Sequence, residues 1–420
     1  MFYANPDDPS PLVGLKYRDL RAGETPLPIR ELWSQRGSKP MLDTVADARV
    51  GEPSARPPRR TKVLFISGAP LSVGHIYRVQ HTAAALNLHG WNTRVMDLRD
   101  PKSIGAINHA DIVTVFRARW DERFASVRNR CTMNRIPLVY DIDDLVFEPA
   151  IISADHVAYL DGRSERYRKM WTDDAMAYRN ALRMADAVTL TTRPLAEFAS
   201  RHCAKNFVLP NALGPEMEMA VERTADVRKP SHGDGRQRIL FASGTSSHHR
   251  DFAEAANAVA RVFSRHPEPL LVILGQLDTR LYTELKPHRN RILSLPTVPF
   301  DQLIGQVSLN DINLCPLESE NPFCECKSAV RWLAAAAVGV PSIVSPTQPL
   351  KNAVIHQISG IVASSDADWE EAIDDLVASP DKIGAMGSAA RSDANARFGF
   401  SGWALRVAHT YETILNTCMV

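Results

Sequence analysis

One short pattern limits the possible folds of this chain more than any other, and it occurs twice. Lys62-Val63-Leu64-Phe65-Ile66-Ser67-Gly68 and Arg238-Ile239-Leu240-Phe241-Ala242-Ser243-Gly244 are apolar runs that end at a glycine. Unbroken apolarity marks a strand buried on both faces, and the glycine opens it into a loop. An alternating texture follows each run. After the first come a helical stretch at 77–89, strands at 93–97 and 111–116, a helix at 119–134, a strand at 137–141, a helix at 164–184 and a strand at 187–191. After the second, strands are expected at 270–274, 291–294, 311–315 and 341–344, with helices between them. Alternation of this kind specifies a parallel sheet covered by helices on both faces. Two series predict two α/β domains, which suits 420 residues at roughly 150 per domain.

The expected divisions are a first domain at 61–222, a second at 236–400 and a closing helix at 401–420 that crosses back onto the first domain. A polar linker near 223–238 carries Pro230, Gly233 and Gly235. Residues 1–60 hold nine of the 28 prolines, a composition suited to an extended or partly disordered arm. The formal charge of +1 excludes a chain built mainly as a nucleic-acid clamp, so no nucleic-acid partner is expected. No run approaches the ~18 apolar residues of a membrane span, and the N-terminus lacks the pattern of a secretory signal. The six cysteines are scattered, and Cys324-x-Cys326 is not the usual zinc spacing; reduced thiols and a cytoplasmic location are expected.

Both glycine loops lead into helices, and such turns aim backbone N–H groups at anions. Neither loop is a P-loop, and Gly68 and Gly74 do not fit a dinucleotide fingerprint. A purely structural glycine remains the alternative at each turn. The segment 321–341 carries more information. Asn321-Pro322 ends a loop, and a helix is expected from Cys324 or Glu325 to Gly339, with Glu325, Lys327 and Ser328 in its first turn. A cation there opposes the helix dipole unless it meets an anion. Arg250 adds a second cation beside the other glycine loop. Two cations and two helix N-termini suit a diphosphate; simply exposed side chains are the plainer reading.

The segments PLVYDIDDLVF, ADAVTLTTRPLAEF, VLPNAL, FASGTSSHHRDF, NPFCECKSAVRWL and AAAAVGVPSIVS occur in this order. Together they resemble the nucleotide-sugar-dependent glycosyltransferases of the GT-B fold, of the retaining type numbered family four, from about Thr61 to the C-terminus. The resemblance implies two Rossmann-like domains facing across a cleft, the second holding the nucleotide-sugar donor and the first an acceptor that is a glycan, a lipid-linked intermediate or a protein. It implies that Ser243, Gly244 and Thr245 form the phosphate-facing loop and that Arg250 and Lys327 are the diphosphate cations. Asn321, Phe323, Glu325 and Ser328 would approach the donor, and Gly275 and Val298 would flank its base. No metal or other cofactor is expected.

One departure stands out. Relatives carry two glutamates eight residues apart here, and the positions fall on Cys326 and Ala334. The second normally binds ribose hydroxyls, so another acid such as Glu318 or Glu320 substitutes, nucleotide affinity is weakened, or catalysis is lost. Ala334→Glu would then tighten nucleoside diphosphate binding, provided the site has room for it. In the first domain Asp143 and Asp144 follow a strand and invite three readings: a metal pair, acceptor orientation or proton handling, and helix capping. Asp144 is taken with Arg250 and Lys327 as a candidate for catalysis. Gly68, His75 and Arg78, at the first glycine loop, are candidates for touching acceptor or phosphate. Arginines at 117–135 and 163–168 surround an apolar stripe of Trp120, Phe124, Val127 and Cys131. The stripe reads as core and the arginines as solvated; the other reading is peripheral contact with an anionic inner membrane face. The function expected is sugar transfer with retention. The alternatives are a lapsed nucleotide-binding scaffold and another nucleotide-sugar enzyme such as a 2-epimerase.

Overall fold

Each apolar run becomes an inner strand of its own six-stranded parallel sheet. The computed structural model describes residues 61–225 and 235–418. The arm at 1–60 and most of the linker lie outside the described residues. In the first sheet, β1 (Lys62–Ser67), β2 (Asn92–Asp97), β3 (Ile112–Phe116), β4 (Leu138–Ile142), β5 (Ala187–Leu190) and β6 (Asn206–Val208) are ordered β2-β1-β3-β4-β5-β6. The second holds β7 (Arg238–Ser243), β8 (Leu270–Gly275), β9 (Ile292–Leu295), β10 (Ile312–Cys315), β11 (Ser342–Val344) and β12 (Ile361–Val362), ordered β12-β11-β10-β7-β8-β9. β3, β4 and β5 are buried at every position, as continuous apolar runs require.

These strand orders matter for function. The winding reverses beside the first strand of each sheet, between β1 and β3 and between β7 and β10. Open α/β sheets bind ligands outside the carboxyl ends of strands at such a reversal. The two glycine loops leave from those ends. Gly68 N donates to Phe116 O at 2.8 Å, and a Cβ on Gly68 would lie 2.6 Å from Ala118 Cα, so the glycine is needed for this close approach.

The Phe400–Cys418 helix packs on the first domain. Phe400, Trp403, Val407 and Tyr411 join Val79, Ala83 and Leu86 in one apolar cluster. Trp403 Nε1 donates to Pro210 O at 2.8 Å, and Tyr411 Oη lies 3.1 Å from Thr114 Oγ1. Three of the four residues of the expected stripe are core: Phe124, Val127 and Cys131 are buried, and Trp120 is half-buried. Several surrounding cations are paired inside the chain, Arg119 with Asp174, Arg128 with Asp186 and Lys169 with Asp173. No described helix is long and apolar enough to cross a membrane.

One element differs from expectation. The helix expected from Cys324 or Glu325 to Gly339 is two helices, Pro322–Glu325 and Val330–Ala337. Thr192 Oγ1, from the first domain, donates to Cys326 O at 2.9 Å, using a carbonyl in the break. Lys327 and Ser328 therefore lie between helices rather than in a first turn.

Candidate functional site

The second reversal point gathers a compact set of charges around one carboxylate. Asp251 lies in the first turn of the His249–Arg265 helix and is 2% exposed. His248 Nδ1 is 2.7 Å from its Oδ2, Lys327 Nζ 3.3 Å and Arg331 Nη2 3.5 Å. Glu318 N donates to its Oδ1 at 3.0 Å. Burial alone would raise the pKa of this acid, but Lys327, the His248 hydrogen bond and Arg331 hold it well below the usual carboxylate range. Burial is the largest influence on Lys327 and favours its neutral form, but Asp251, Cys324 and Asp144 together outweigh it, so the ammonium pKa is raised. Burial, followed by the Lys327 charge, pushes His248 down to about 4, which leaves it neutral at pH 7. Phe323 places its ring 5.7 Å from Lys327 Nζ. Burial pushes the Cys324 thiol up to about 12, so it is no nucleophile at neutral pH.

The expected residues divide by what their side chains already do. Arg250 faces the first domain: its guanidinium pairs with Asp161, donates to Asp155 O at 3.1 Å and lies 3.7 Å from Glu318 Oε1. Gly244 is exposed and Thr245 half-buried. The Ser243 hydroxyl is turned inward, 2.8 Å from both Thr245 O and Gln276 O, so it shapes the loop rather than facing a ligand. Asn321 Oδ1 caps the Pro322–Glu325 helix, and its Nδ2 donates to His156 O at 2.8 Å and to Glu318 Oε2 at 2.6 Å. Glu325 accepts from Gln348 N at 2.7 Å, and Ser328 Oγ accepts from Asn211 at 3.1 Å. Val298 packs beside Leu240, Val272 and Leu274.

Gly275 ends β8 at φ +111°, and a Cβ there would meet Ser243 O at 1.9 Å. Gly275→Ala is therefore expected to lower unfolding free energy by about 2 kcal/mol or more, as urea denaturation would show. An unchanged midpoint would mean that the loop yields without cost. Ala334 is 3% exposed, in an apolar cluster with Trp332, Leu333 and Ile304. The condition set on the Ala334→Glu expectation, a site with room for glutamate, is therefore not met. Ala334→Glu would bury a carboxylate and should cost roughly 3 kcal/mol or more rather than tighten nucleotide binding. An undiminished melting temperature with tighter binding would contradict that. Of the two substitute acids, Glu320 is exposed and Glu318 is held by Asn321.

At the first reversal point, Arg117 adopts φ +44° at the end of β3, a strained backbone for a non-glycine residue. Its Nη2 is 2.6 Å from Asp143 Oδ1 and 3.8 Å from Asp144 Oδ2. Burial raises the Asp144 pKa against the opposing charges of Arg117 and Lys327, which brings the carboxyl nearer neutral pH. A Cβ on Gly74 would lie 2.4 Å from Asp143 Oδ2. His75 is 6% exposed, with Nδ1 3.0 Å from Ser67 Oγ, and burial lowers its pKa to about 4. Arg78 needs correction as a ligand-touching residue. It is 1% exposed, binds Asp141 through Nε and Nη2 at 3.0 and 2.7 Å, and donates through Nη1 to Leu209 O and Asn211 Oδ1. It positions β4 and the Asn211 amide, which reaches Ser328. Among the described residues no group of three or more His, Cys, Asp and Glu side chains could hold a metal ion.

Sequence reasoning missed Asp251, His248, Arg331, Arg117 and Asp161. The His248-x-x-Asp251 and Lys327-x-x-x-Arg331 spacings were the available signals; Asp161 and Arg117 gave none.

No protein-family model matches the sequence, and no curated protein matches it. Solved structures do. HepE from Anabaena, in complex with UDP and glucose, is 14% identical over 84% of this chain and 100% of its own, with a TM-score of 0.57. The sucrose-phosphate synthase from Thermosynechococcus elongatus is 14% identical over 85% and 100%, with a TM-score of 0.56. A glycosyltransferase from Rickettsia africae is 13% identical over 85% and 99%, with a TM-score of 0.55. With its two facing Rossmann-like domains and returning helix, the chain has the GT-B fold.

Proposed function

We propose that this protein is a glycosyltransferase that moves a sugar from a nucleotide-sugar donor to a hydroxyl of a glycan, lipid-linked or protein acceptor, with retention. The observation that carries the reading is the set of cations beside the glycine loop at the β7/β10 reversal. Lys327 and Arg331 face Asp251, and Arg250 faces Asp161, carboxylates that a phosphate could replace. The HepE structure, which holds UDP and glucose, supports a nucleotide sugar as partner. As the C–O bond to the sugar breaks, charge builds on the departing diphosphate. Cations and amides already in place stabilise that charge without reorganising. Asp144, across from Lys327 and with its pKa raised, is suited to receive the acceptor proton. The reading places the enzyme in the cytoplasm and leaves contact with the inner membrane face as part of the proposal for a lipid-linked acceptor.

A second reading has its own observation. Ala334 is buried at the position where the resemblance implies a ribose-binding glutamate, and the replacement of that acid favours a lapsed scaffold of the same fold. Incubation with a panel of nucleotide sugars separates the two. Sugar transfer or slow hydrolysis supports the enzyme. Nucleotide binding with neither, across the panel, supports the scaffold, and a new epimeric nucleotide sugar would show a 2-epimerase.

A further inference from the structure

The segment Asp155–Asp161, between β4 and the Glu165–Arg183 helix, meets three side chains from the second domain. Asp161 Oδ2 lies 2.8 Å from His249 Nε2, and Asp161 Oδ1 pairs with Arg250 Nη2. Asp155 O accepts from Arg250 Nη1 at 3.1 Å, and His156 O accepts from Asn321 Nδ2 at 2.8 Å. Each of these four contacts uses an oxygen of the segment, two of them the oxygens of the Asp161 carboxylate. A phosphate and a sugar hydroxyl would offer the same groups to the same donors. The segment is seated by Ile152, Val157 and Leu160, which are buried, and it ends at Gly162 with φ +65°. Asp161 itself is one-third exposed, so its carboxylate can move into solvent without uncovering the core.

We propose that Asp161 is an internal competitor for the donor phosphate: it holds Arg250 in the ligand-free chain and is displaced when a diphosphate binds. This rests on the reading of Arg250 as a phosphate cation. It adds that the segment, and not only the cations, sets the affinity of the site. Because the pair is partly solvated, the competition is modest, and removing it should tighten binding by about threefold to tenfold.

The test is calorimetric titration of the full chain with inorganic pyrophosphate, which has no base or ribose. Wild type, Asp161→Asn, Arg250→Ala and the double variant are compared, with circular dichroism to check folding. Asp161→Asn should bind more tightly, Arg250→Ala at least about tenfold more weakly, and Asp161→Asn should add nothing when Arg250 is alanine. Amides of 155–161 should exchange faster with saturating pyrophosphate. If Arg250→Ala binds as wild type does, the phosphate reading of Arg250 is wrong. If Arg250→Ala weakens binding but Asp161→Asn leaves it unchanged or weaker, the competitor is refuted and the Arg250 reading stands. Equal tightening by Asp161→Asn in both backgrounds also overturns the competitor. No binding by any variant up to about 10 mM overturns both.

Discussion

Sugar transfer by the Lys327→Ala variant is expected to fall at least about a hundredfold, with little change in folding. A single preorganised donor to developing charge contributes on that scale. The ammonium lies 3.3 Å from Asp251, and its pKa is raised above that of an ordinary lysine despite burial, so it is charged at neutral pH. Its removal does not strand the acid, which keeps His248, Arg331 and the Glu318 amide. The melting temperature should therefore shift by only a few degrees. Nucleoside diphosphate affinity should fall alongside the rate, measured on single turnovers of whichever nucleotide sugar the wild type uses. A variant with wild-type rate and affinity would remove Lys327 from the site.

Asp251→Asn should have the opposite profile, a large loss of stability. The substitution leaves Lys327 and Arg331 without their buried counter-ion, a loss of about 3–5 kcal/mol when one side of a buried pair is deleted. The pH dependence gives the sign. The folded acid has its pKa well below the ordinary value, so its contribution is fully present above pH about 4 and is lost as pH falls toward the folded pKa. The gap between wild type and variant should be full at pH 7 and narrower by about 1 kcal/mol at pH 3, as urea denaturation at the two pH values would show. A gap that widens on acidification would mean that the fold does not hold the Asp251 pKa below its unfolded value.

Much of this architecture is legible in the chain because parallel strands covered on both faces leave unbroken apolar runs. The exceptions follow from the same rule. β6 is a half-exposed edge strand paired only with β5, and β12 is two residues long, so neither has such a run. The break at 326–329 was hidden because the alanine-rich stretch after it favours helix, whereas the Cys326 carbonyl is used by Thr192 from the other domain. Arg250 and Lys327 could be singled out because each lies near a glycine loop or a helix start. Their partners could not all be. Asp251 pairs with Lys327 across 76 residues and Asp161 with Arg250 across 89, distances that leave no local pattern. Arg78 misled for a related reason: its position beside the first glycine loop suggested a ligand, but Asp141, 63 residues away, occupies it.

The central claim is that a nucleotide diphosphate binds at the β7/β10 reversal. The most direct measurement is a crystal structure of the full chain with the nucleoside diphosphate that most raises its melting temperature among UDP, GDP, ADP and dTDP. The account predicts phosphate oxygens within hydrogen-bond distance of Lys327, Arg250 and the Gly244 or Thr245 amide. A diphosphate bound elsewhere, with the Lys327–Asp251 and Arg250–Asp161 pairs intact, would contradict it.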